Sequence, residues 1–486
     1  MPKRPVALRP SYLHSGLDSF VSLRPQEALS TIPGPRQRHI GEFALALMRR
    51  PLEFLPAIAR DHGDIVGFQV SSQPIVLLSD PELIRDVLVT HARQFHKGRG
   101  LEQAKMLLGE GLLTSEDEFH LRQRRLAQPA FHRARIAAYG ETMAAYAERR
   151  SAAWSDGATL DISHEMAAYT LAVVGKTLFD ADIEGEAKDI GEALASAIVA
   201  FNFTALPFGP ALLKLPIPAA RRFRRGRARL DETIYRLIAE RRKAGDDRGD
   251  LMSMLLLAHD AEGDGTGMSD LQLRDEAMTL LLAGHETTAN ALTWTFYLLS
   301  QHPEIEARLH AEIDTLGHGP LGEDDVGLLP YTRAVLAESF RLFPPAWIVG
   351  RRVLNAYKLG DYTIAPRTII LMSQWIVHHD ARWWEDTAAF APERWLPGGS
   401  AMSGARPKFS YFPFGAGTRV CIGEQFAWME GILAIATIAR RWRFRLVDGH
   451  PVVPRPIITL RSKYGMRMTA HARSSGDRSR VSRVSA

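Results

Sequence analysis

The chain predicts a mainly α fold with a smaller β portion. Three observations carry that expectation. Apolar residues recur at helical spacing over residues 81–301, and strand-like runs are short and few. No Gly/Ser- or Pro-rich linker in the interior is long enough to divide the 486 residues. In chain order, residues 1–32 form a Pro-rich segment expected to be only partly ordered. Residues 64–70 and 74–78 are β-rich and broken by Ser71-Ser72-Gln73, the pattern of a short hairpin. The helical spacing that begins at Pro81 is interrupted near residues 207–218 and 264–267. The arginine cluster at 221–229 is followed by apolar residues at helical spacing through Leu237, so it opens an amphipathic helix with a solvated face. Ser269-Asp270 starts a helix whose next stop signal is Pro303, an unusually long element with Ala283-Gly284-His285-Glu286-Thr287-Thr288 near its middle. A further helix spans 331–341 and ends before Pro344-Pro345. Strand-like pieces follow at 348–353, 362–364 and 368–372, and residues 424–440 are apolar and helical. One domain is expected over 33–470, with a Ser/Arg-rich, disordered tail over 471–486.

With 46% apolar residues the chain can bury a large core, and a formal charge of +5 gives little support for a nucleic-acid partner. No apolar run reaches the length needed to cross a bilayer, and residues 1–38 lack the apolar centre of a signal peptide. A cytoplasmic protein is expected, and a single cysteine fits a reducing compartment.

That cysteine cannot form an internal disulfide, so its sulfur is either a small buried hydrophobe or chemistry. It stands in Phe414-Gly-Ala-Gly-Thr-Arg-Val-Cys421-Ile-Gly423. Gly415, Gly417 and Gly423 let the backbone bend and approach a flat partner closely. The helix that follows and the nearby Arg419 would favour a thiolate over a thiol. The hydrophobe reading leaves three glycines and an arginine without a role.

These residues resemble the haem-binding loop of the cytochrome P450 family, Phe-x-x-Gly-x-Arg-x-Cys-x-Gly. Phe414, Gly417, Arg419, Cys421 and Gly423 occupy every fixed position. The resemblance implies the family's fold, with a long central helix over haem b and the cysteine loop beneath it. It makes Cys421 the axial ligand of the iron, packs Phe414 beside the haem and pairs Arg419 with a propionate. A thiolate ligand pushes electron density onto iron and favours cleavage of a bound O–O bond.

Further constellations point the same way. In the middle of the long helix, the Thr287 hydroxyl can bond back to the carbonyl of Ala283 and locally open the helix. A helix–helix contact softened by small residues is the competing reading. His285-Glu286 is not a zinc helix, because Ala289 stands where a second histidine is needed, and Val420 breaks a dinucleotide fingerprint at Gly415 and Gly417. The stretch from Ala283 and Gly284 to Thr288 matches the family's Ala-Gly-x-Glu/Asp-Thr-Thr, which implies that Glu286 and Thr287 manage proton delivery to bound O2. Glu338 and Arg341 match its Glu-x-x-Arg, and Arg394 is implied as the third member of a buried structural network. His120 and Arg124 share a helical face and are carried over to the haem propionates, although a solvated basic face with Arg122 and Arg125 reads nearly as well. Arg351 matches another propionate-binding arginine, with Arg352 left open beside it.

The resemblance spans residues 33–468. It implies a haem-thiolate monooxygenase that inserts one atom of O2 into a lipophilic small molecule (terpenoid, fatty acid, steroid or polyketide) and reduces the other to water. No flavin or nicotinamide module follows, so electrons are expected from a ferredoxin or flavodoxin with its reductase. That donor would dock on the cysteine side through Arg419, Arg440, Arg441 and Arg443, and a monomer is expected. Competing readings are a peroxide-driven peroxygenase, a haem-thiolate isomerase or dehydratase, and a haem sensor. The Glu286–Thr287 pair argues against the first three, and a sensor would want an output domain. The substrate pocket is expected from residues 101–111, 198–208, 280–283 and 346–349, with 345–348 shaping its roof.

Overall fold

The computed structural model describes residues 29–180 and 215–473, apart from residues 30, 40, 216, 246 and 261–264. Its helical side runs through α1 (Arg99–Leu108), α2 (Asp117–Ala127), α3 (Arg133–Ala152), α4 (Ile162–Phe179), α5 (Pro218–Ala244), α6 (Asp270–Gln301), α7 (Pro330–Leu342) and α8 (Glu424–Ala439). The long helix expected after Ser269 is α6. Ser269 caps it, its hydroxyl accepting from the Gln272 N–H at 3.3 Å while the Gln272 side chain accepts from the Ser269 N–H at 2.8 Å. At 32 residues it is about 48 Å long. The core is wrapped around it: α4 and α7 pack on it, and α8 packs on α3. Trp294 lies at its centre, stacked on Phe343 with ring centroids 4.1 Å apart, and its indole N–H donates to the Leu460 carbonyl at 2.9 Å.

The strands are β1 (Ile65–Val70), β2 (Gln73–Leu78), β3 (Phe95–Lys97), β4 (Thr159–Asp161), β5 (Val349–Val353), β6 (Tyr357–Leu359), β7 (Tyr362–Ile364), β8 (Ile369–Met372), β9 (Trp442–Leu446), β10 (Pro454–Pro456), β11 (Leu460–Ser462) and β12 (Arg467–Ala472). The largest sheet has the order β1-β2-β8-β5-β3. The expected hairpin forms its edge, turning at Ser71, whose φ is +56°. β2 runs parallel to β8, and β5 pairs antiparallel with β3 so that Arg351 lies opposite Lys97. A second sheet has the order β4-β12-β9, and β10 and β11 form a separate hairpin.

The arginine cluster at 221–229 lies on α5, as its spacing requires. The interruption expected at 207–218 falls mostly outside the described residues. β3 and β4 sit inside the stretch read as helical. Each is three residues long and is held by a strand more than 250 residues away, β3 by β5 and β4 by β12, so local periodicity carries no trace of them. The expected domain end at 470 also needs correction. β12 continues through Ala472, and the Arg473 guanidinium is buried between the Asp314 carboxylate at 2.7 Å and the Ala439 carbonyl at 3.0 Å. Among the described residues no helix is long and apolar enough to cross a membrane.

Candidate active site

The cysteine loop is built by its own backbone. Gly415 and Gly417 take φ of +69° and +66°, in the left-handed region that favours glycine, and the Cys421 N–H donates to the Phe414 carbonyl at 3.0 Å. A side chain at Gly417 would meet the Leu88 carbonyl at 2.1 Å, so the loop can lie this close to its neighbour only with glycine there. Phe414 anchors the loop from below, edge-on to Phe340 with centroids 5.4 Å apart and tilted against Trp428 at 5.8 Å. Gly423 is the N-terminal cap residue of α8.

Cys421 is open on one face, with protein around the rest. That burial pushes its thiol up to about 11; the Gly423 N–H and Arg124 oppose the rise and Glu424 adds to it. The expected help from Arg419 does not materialise. Its guanidinium turns away, donating to the Ser115 carbonyl at 2.7 Å and pairing with Glu116. The side chains around the sulfur therefore keep it a thiol. Ionisation needs a further positive partner, and a coordinated metal ion is such a partner.

Next to the loop the fold gathers cations. Arg124 donates to the Val420 carbonyl at 2.8 Å. His120, four residues earlier on α2, is buried with its Nε2 unpaired. Burial holds His120 neutral, its pKa down at about 3, with Arg419, Lys97 and Arg124 adding to the fall. Arg122 and Arg125 leave this face for Asp260, at 3.5 Å and 3.0 Å. Arg351 points toward the cluster, where burial and then Arg419 lower it to about 10. Arg352, the next residue on the strand, points the other way and pairs with Glu102 at 2.7 Å. It lines a cavity of about 480 Å³ shared with Gln73, Arg367, Ile369 and Glu102, the last of these from the expected pocket stretch 101–111.

Lys97 was not legible in the sequence. Its amino group is buried, donating to the Leu112 and Ser115 carbonyls at 3.0 Å each, and burial with Arg419 lowers its pKa to about 6. Four basic side chains and a neutral imidazole thus converge, with Glu116, Glu276 and Asp117 among the acidic groups that act on them. Such a cluster fits a flat partner carrying two carboxylates, which haem is.

The second element of the site is α6, around which the core is built. Between Leu273 and Phe296 every residue is buried except Ala283, Gly284 and Thr287, which share one face. The Thr287 hydroxyl donates to the Ala283 carbonyl at 2.7 Å. The helix nonetheless stays α-helical through this stretch, so the expected local opening is absent. The competing reading also has substance: a side chain at Gly284 would stand 3.1 Å from Val174 of α4, and Thr170 donates to the His285 carbonyl at 3.0 Å. Glu286, beside this stripe, is buried. Its carboxylate accepts from the Thr459 hydroxyl and from Arg461 Nε at 2.5 Å. Neither partner carried a sequence signal, since both lie in a short hairpin that periodicity did not register.

Glu338 and Arg341 are completely buried on α7 and meet through two bonds of 2.9 Å and 2.8 Å. The remaining Arg341 donors reach the carbonyls of His378, Thr387 and Ala389, so all five are used. Arg394 stands 3.4 Å from Glu338, and the Trp395 indole donates to Glu338 at 2.9 Å. Of the expected pocket, residues 198–208 lie outside the described residues. Trp347 is turned into the core with its N–H on the Ile457 carbonyl at 3.1 Å, which removes it from the roof. Leu101, Met106, Ala346, Ile348 and Val349 remain half-buried.

Comparison with known proteins matches residues 33–466 to the family model "Cytochrome P450". Cyclooctatin synthase of Streptomyces melanosporofaciens is 42% identical over 86% of this chain and 90% of its own length. Cyclooctat-9-en-7-ol 5-monooxygenase of the same organism is 40% identical over 88% and 92%. Pentalenene oxygenase of Streptomyces avermitilis is 35% identical over 89% and 95%. With the family match running from before the first strand to the last sheet, the chain belongs to the cytochrome P450 family and is a monooxygenase whose cofactor is haem b.

Proposed function

We propose that Cys421 is the axial ligand of the haem, that Lys97, His120, Arg124 and Arg351 hold its propionates, and that Ala283, Gly284 and Thr287 form the face on which oxygen is handled. The observation that carries this reading is the open stripe on an otherwise buried helix. It sets one hydroxyl beside small residues, leaving room for a small ligand and a water. Thiolate-ligated haem supplies the oxygen activation. The chain's own share is to keep the sulfur in place through the Phe414 carbonyl, to neutralise two carboxylates, and to offer a proton at Thr287 Oγ1. Arg419, already engaged with Glu116, serves this arrangement by fixing the loop.

Thr287→Ala is expected to leave haem content and substrate affinity nearly intact while product formed per nicotinamide cofactor oxidised falls several-fold and peroxide rises. Unchanged coupling would remove Thr287 from proton handling and revive the peroxide-driven alternative.

The substrate we propose is a cyclic, largely hydrocarbon terpenoid. The names of the relatives denote an alkene and an alkenol, and Leu101, Met106, Ala346, Ile348 and Val349 give the expected pocket an apolar half-buried portion beside the polar Glu102, Gln103 and Lys105. Such compounds should shift the ferric Soret band on titration, whereas charged metabolites should not.

Electrons come, in this reading, from an acidic ferredoxin or flavodoxin with its reductase, acting on a cytoplasmic monomer. The footprint differs from the expected one. Arg419 is turned inward, and Arg440, Arg441 and Arg443 lie past the far end of α8, about 24 Å from its start. Arg440 also bonds the Gly317 and Gly319 carbonyls at 2.8 Å and 2.7 Å. Nearer the loop stand Arg333, stacked over Trp428 at 4.5 Å, and Arg133, two residues after the Phe131 ring that Gly423 faces. First electron transfer from a reduced acidic ferredoxin, followed by stopped flow, should slow as salt rises, and Arg133→Glu or Arg333→Glu should slow it several-fold at low salt. A rate indifferent to both would point to apolar docking.

A further inference from the structure

We propose that Asp275 and Glu276 are positioning residues for the haem: through the backbone of residues 109–115 they set where the propionate-holding cluster and the end of α1 lie. This rests on the reading of Lys97, His120, Arg124 and Arg351 as the residues that hold the propionates.

Both carboxyl groups lie in the second turn of α6 and are buried, Glu276 completely. Each accepts from a backbone N–H of the segment that joins α1 to α2. Asp275 takes the Glu110 N–H at 2.8 Å, and Glu276 takes the Leu112 N–H at 3.0 Å. The second Glu276 oxygen accepts from the Gln123 amide of α2 at 3.1 Å, one residue before Arg124. Arg274, just ahead of the pair, donates to the Leu107 carbonyl at the end of α1 at 2.9 Å and to Asp275 at 2.8 Å. Asp231 of α5 holds the same guanidinium at 2.6 Å. Three consecutive residues of one helix thus grip Leu107, Glu110 and Leu112 in turn.

The segment also lies unusually close to the helix. A Cβ at Gly111 would stand 2.2 Å from the Thr279 hydroxyl and 2.5 Å from the Asp275 carbonyl, and one at Gly109 would stand 2.1 Å from the Asp275 carboxylate. Its other side carries the cluster. The Leu112 and Ser115 carbonyls receive the Lys97 amino group, the Ser115 carbonyl also receives Arg419, and the Ser115 hydroxyl meets His120 Nδ1 at 3.3 Å. What fixes Leu112 from α6 therefore fixes Lys97, and through Ser115 the His120 ring.

A carboxyl is a costly fastener here. Burial lifts the Glu276 pKa to about 7, against the Leu112 N–H and Gln123, which lower it. A leucine would pack at less cost, but it has no oxygens to aim at two donors. A fastening that served folding alone would share these bonds and leave the surroundings of the haem unchanged in the folded protein.

The test uses the haem-loaded protein without substrate, as Glu276→Leu, Glu276→Gln and Gly111→Ala, with Lys97→Met as the reference. Three quantities are read: the rate of haem transfer to excess apomyoglobin, the propionate-bending bands in resonance Raman, and the haem reduction potential. Glu276→Leu removes both acceptor oxygens. Gly111→Ala lifts the segment off α6 while removing no charge and no hydrogen-bonding group. Both should speed haem loss several-fold and move the propionate bands toward those of Lys97→Met. Gly111→Ala should also lower the potential, because a displaced cation leaves the propionate charge less balanced, whereas deleting a carboxylate alone would raise it. Glu276→Gln keeps an acceptor for the Leu112 N–H and should restore most of the wild-type values. Melting temperatures separate these effects from unfolding, and Gly111→Ala and Glu276→Gln carry the test if Glu276→Leu folds poorly. If Lys97→Met changes haem loss and the bands while Glu276→Leu and Gly111→Ala keep wild-type values, the inference is overturned and the pair only fastens the fold. If Lys97→Met itself changes neither, the reading of the propionate cluster falls and this inference falls with it.

Discussion

Cys421→Ser is expected to abolish the long-wavelength Soret band of the reduced CO complex that marks thiolate ligation, and monooxygenase turnover with it. The substitution is close to isosteric, and the bond from the residue 421 N–H to the Phe414 carbonyl involves only backbone. The loop should therefore fold as before, with far-UV circular dichroism unchanged. What is lost is the one cysteine sulfur in the chain. A serine hydroxyl is far less acidic than a thiol and donates less electron density to iron, so the push that favours O–O cleavage goes with it. The measurement is the CO difference spectrum of the reduced protein; a variant that keeps the band has its ligand elsewhere.

Breaking the Glu338–Arg341 pair should have the largest effect on stability. Both residues are fully buried, and Arg341 spends every donor. Removing one partner leaves the other charged and unpaired in the core, which costs about 3–5 kcal/mol. Arg341→Ala also frees the carbonyls of His378, Thr387 and Ala389, so it should be the more severe of the two, with Glu338→Gln milder because it keeps a hydrogen-bonding amide. Little folded, haem-binding protein is expected for Arg341→Ala, checked by denaturant midpoint and by haem absorbance per protein. A midpoint within error of wild type would mean that the network is ornamental.

The two helices that frame the site were legible because their signals are local. Ser269 with a polar first turn starts α6, and Pro303 follows its end. Pro330 and the Pro344-Pro345 pair bracket α7. The cysteine loop was legible for a similar reason, since five residues in ten must satisfy one backbone path. Lys97, Thr459 and Arg461 were not. Each owes its place to pairing between distant segments: β3 against β5, and the β10–β11 hairpin against α6. Their own neighbours in sequence say nothing of that pairing. Arg351 and Arg352 show the same limit at one-residue resolution. Only the alternation of a paired strand decides which of them faces the cation cluster. Arg419 shows a further limit, because a basic residue in the motif says nothing of Glu116, with which it pairs.

The Arg473 knot bears on how this catalyst can be engineered. Its guanidinium ties the last strand to Asp314, the residue that closes the helix Pro303–Ile313, and to the end of α8. A reductase fused in place of everything after residue 470 would cut that tie and unzip the end of β12 from β9, loosening the far end of the helix that begins beside Cys421. A junction at residue 474 or later leaves the clasp whole, so a single-chain, self-supplying version of the enzyme should be spliced there.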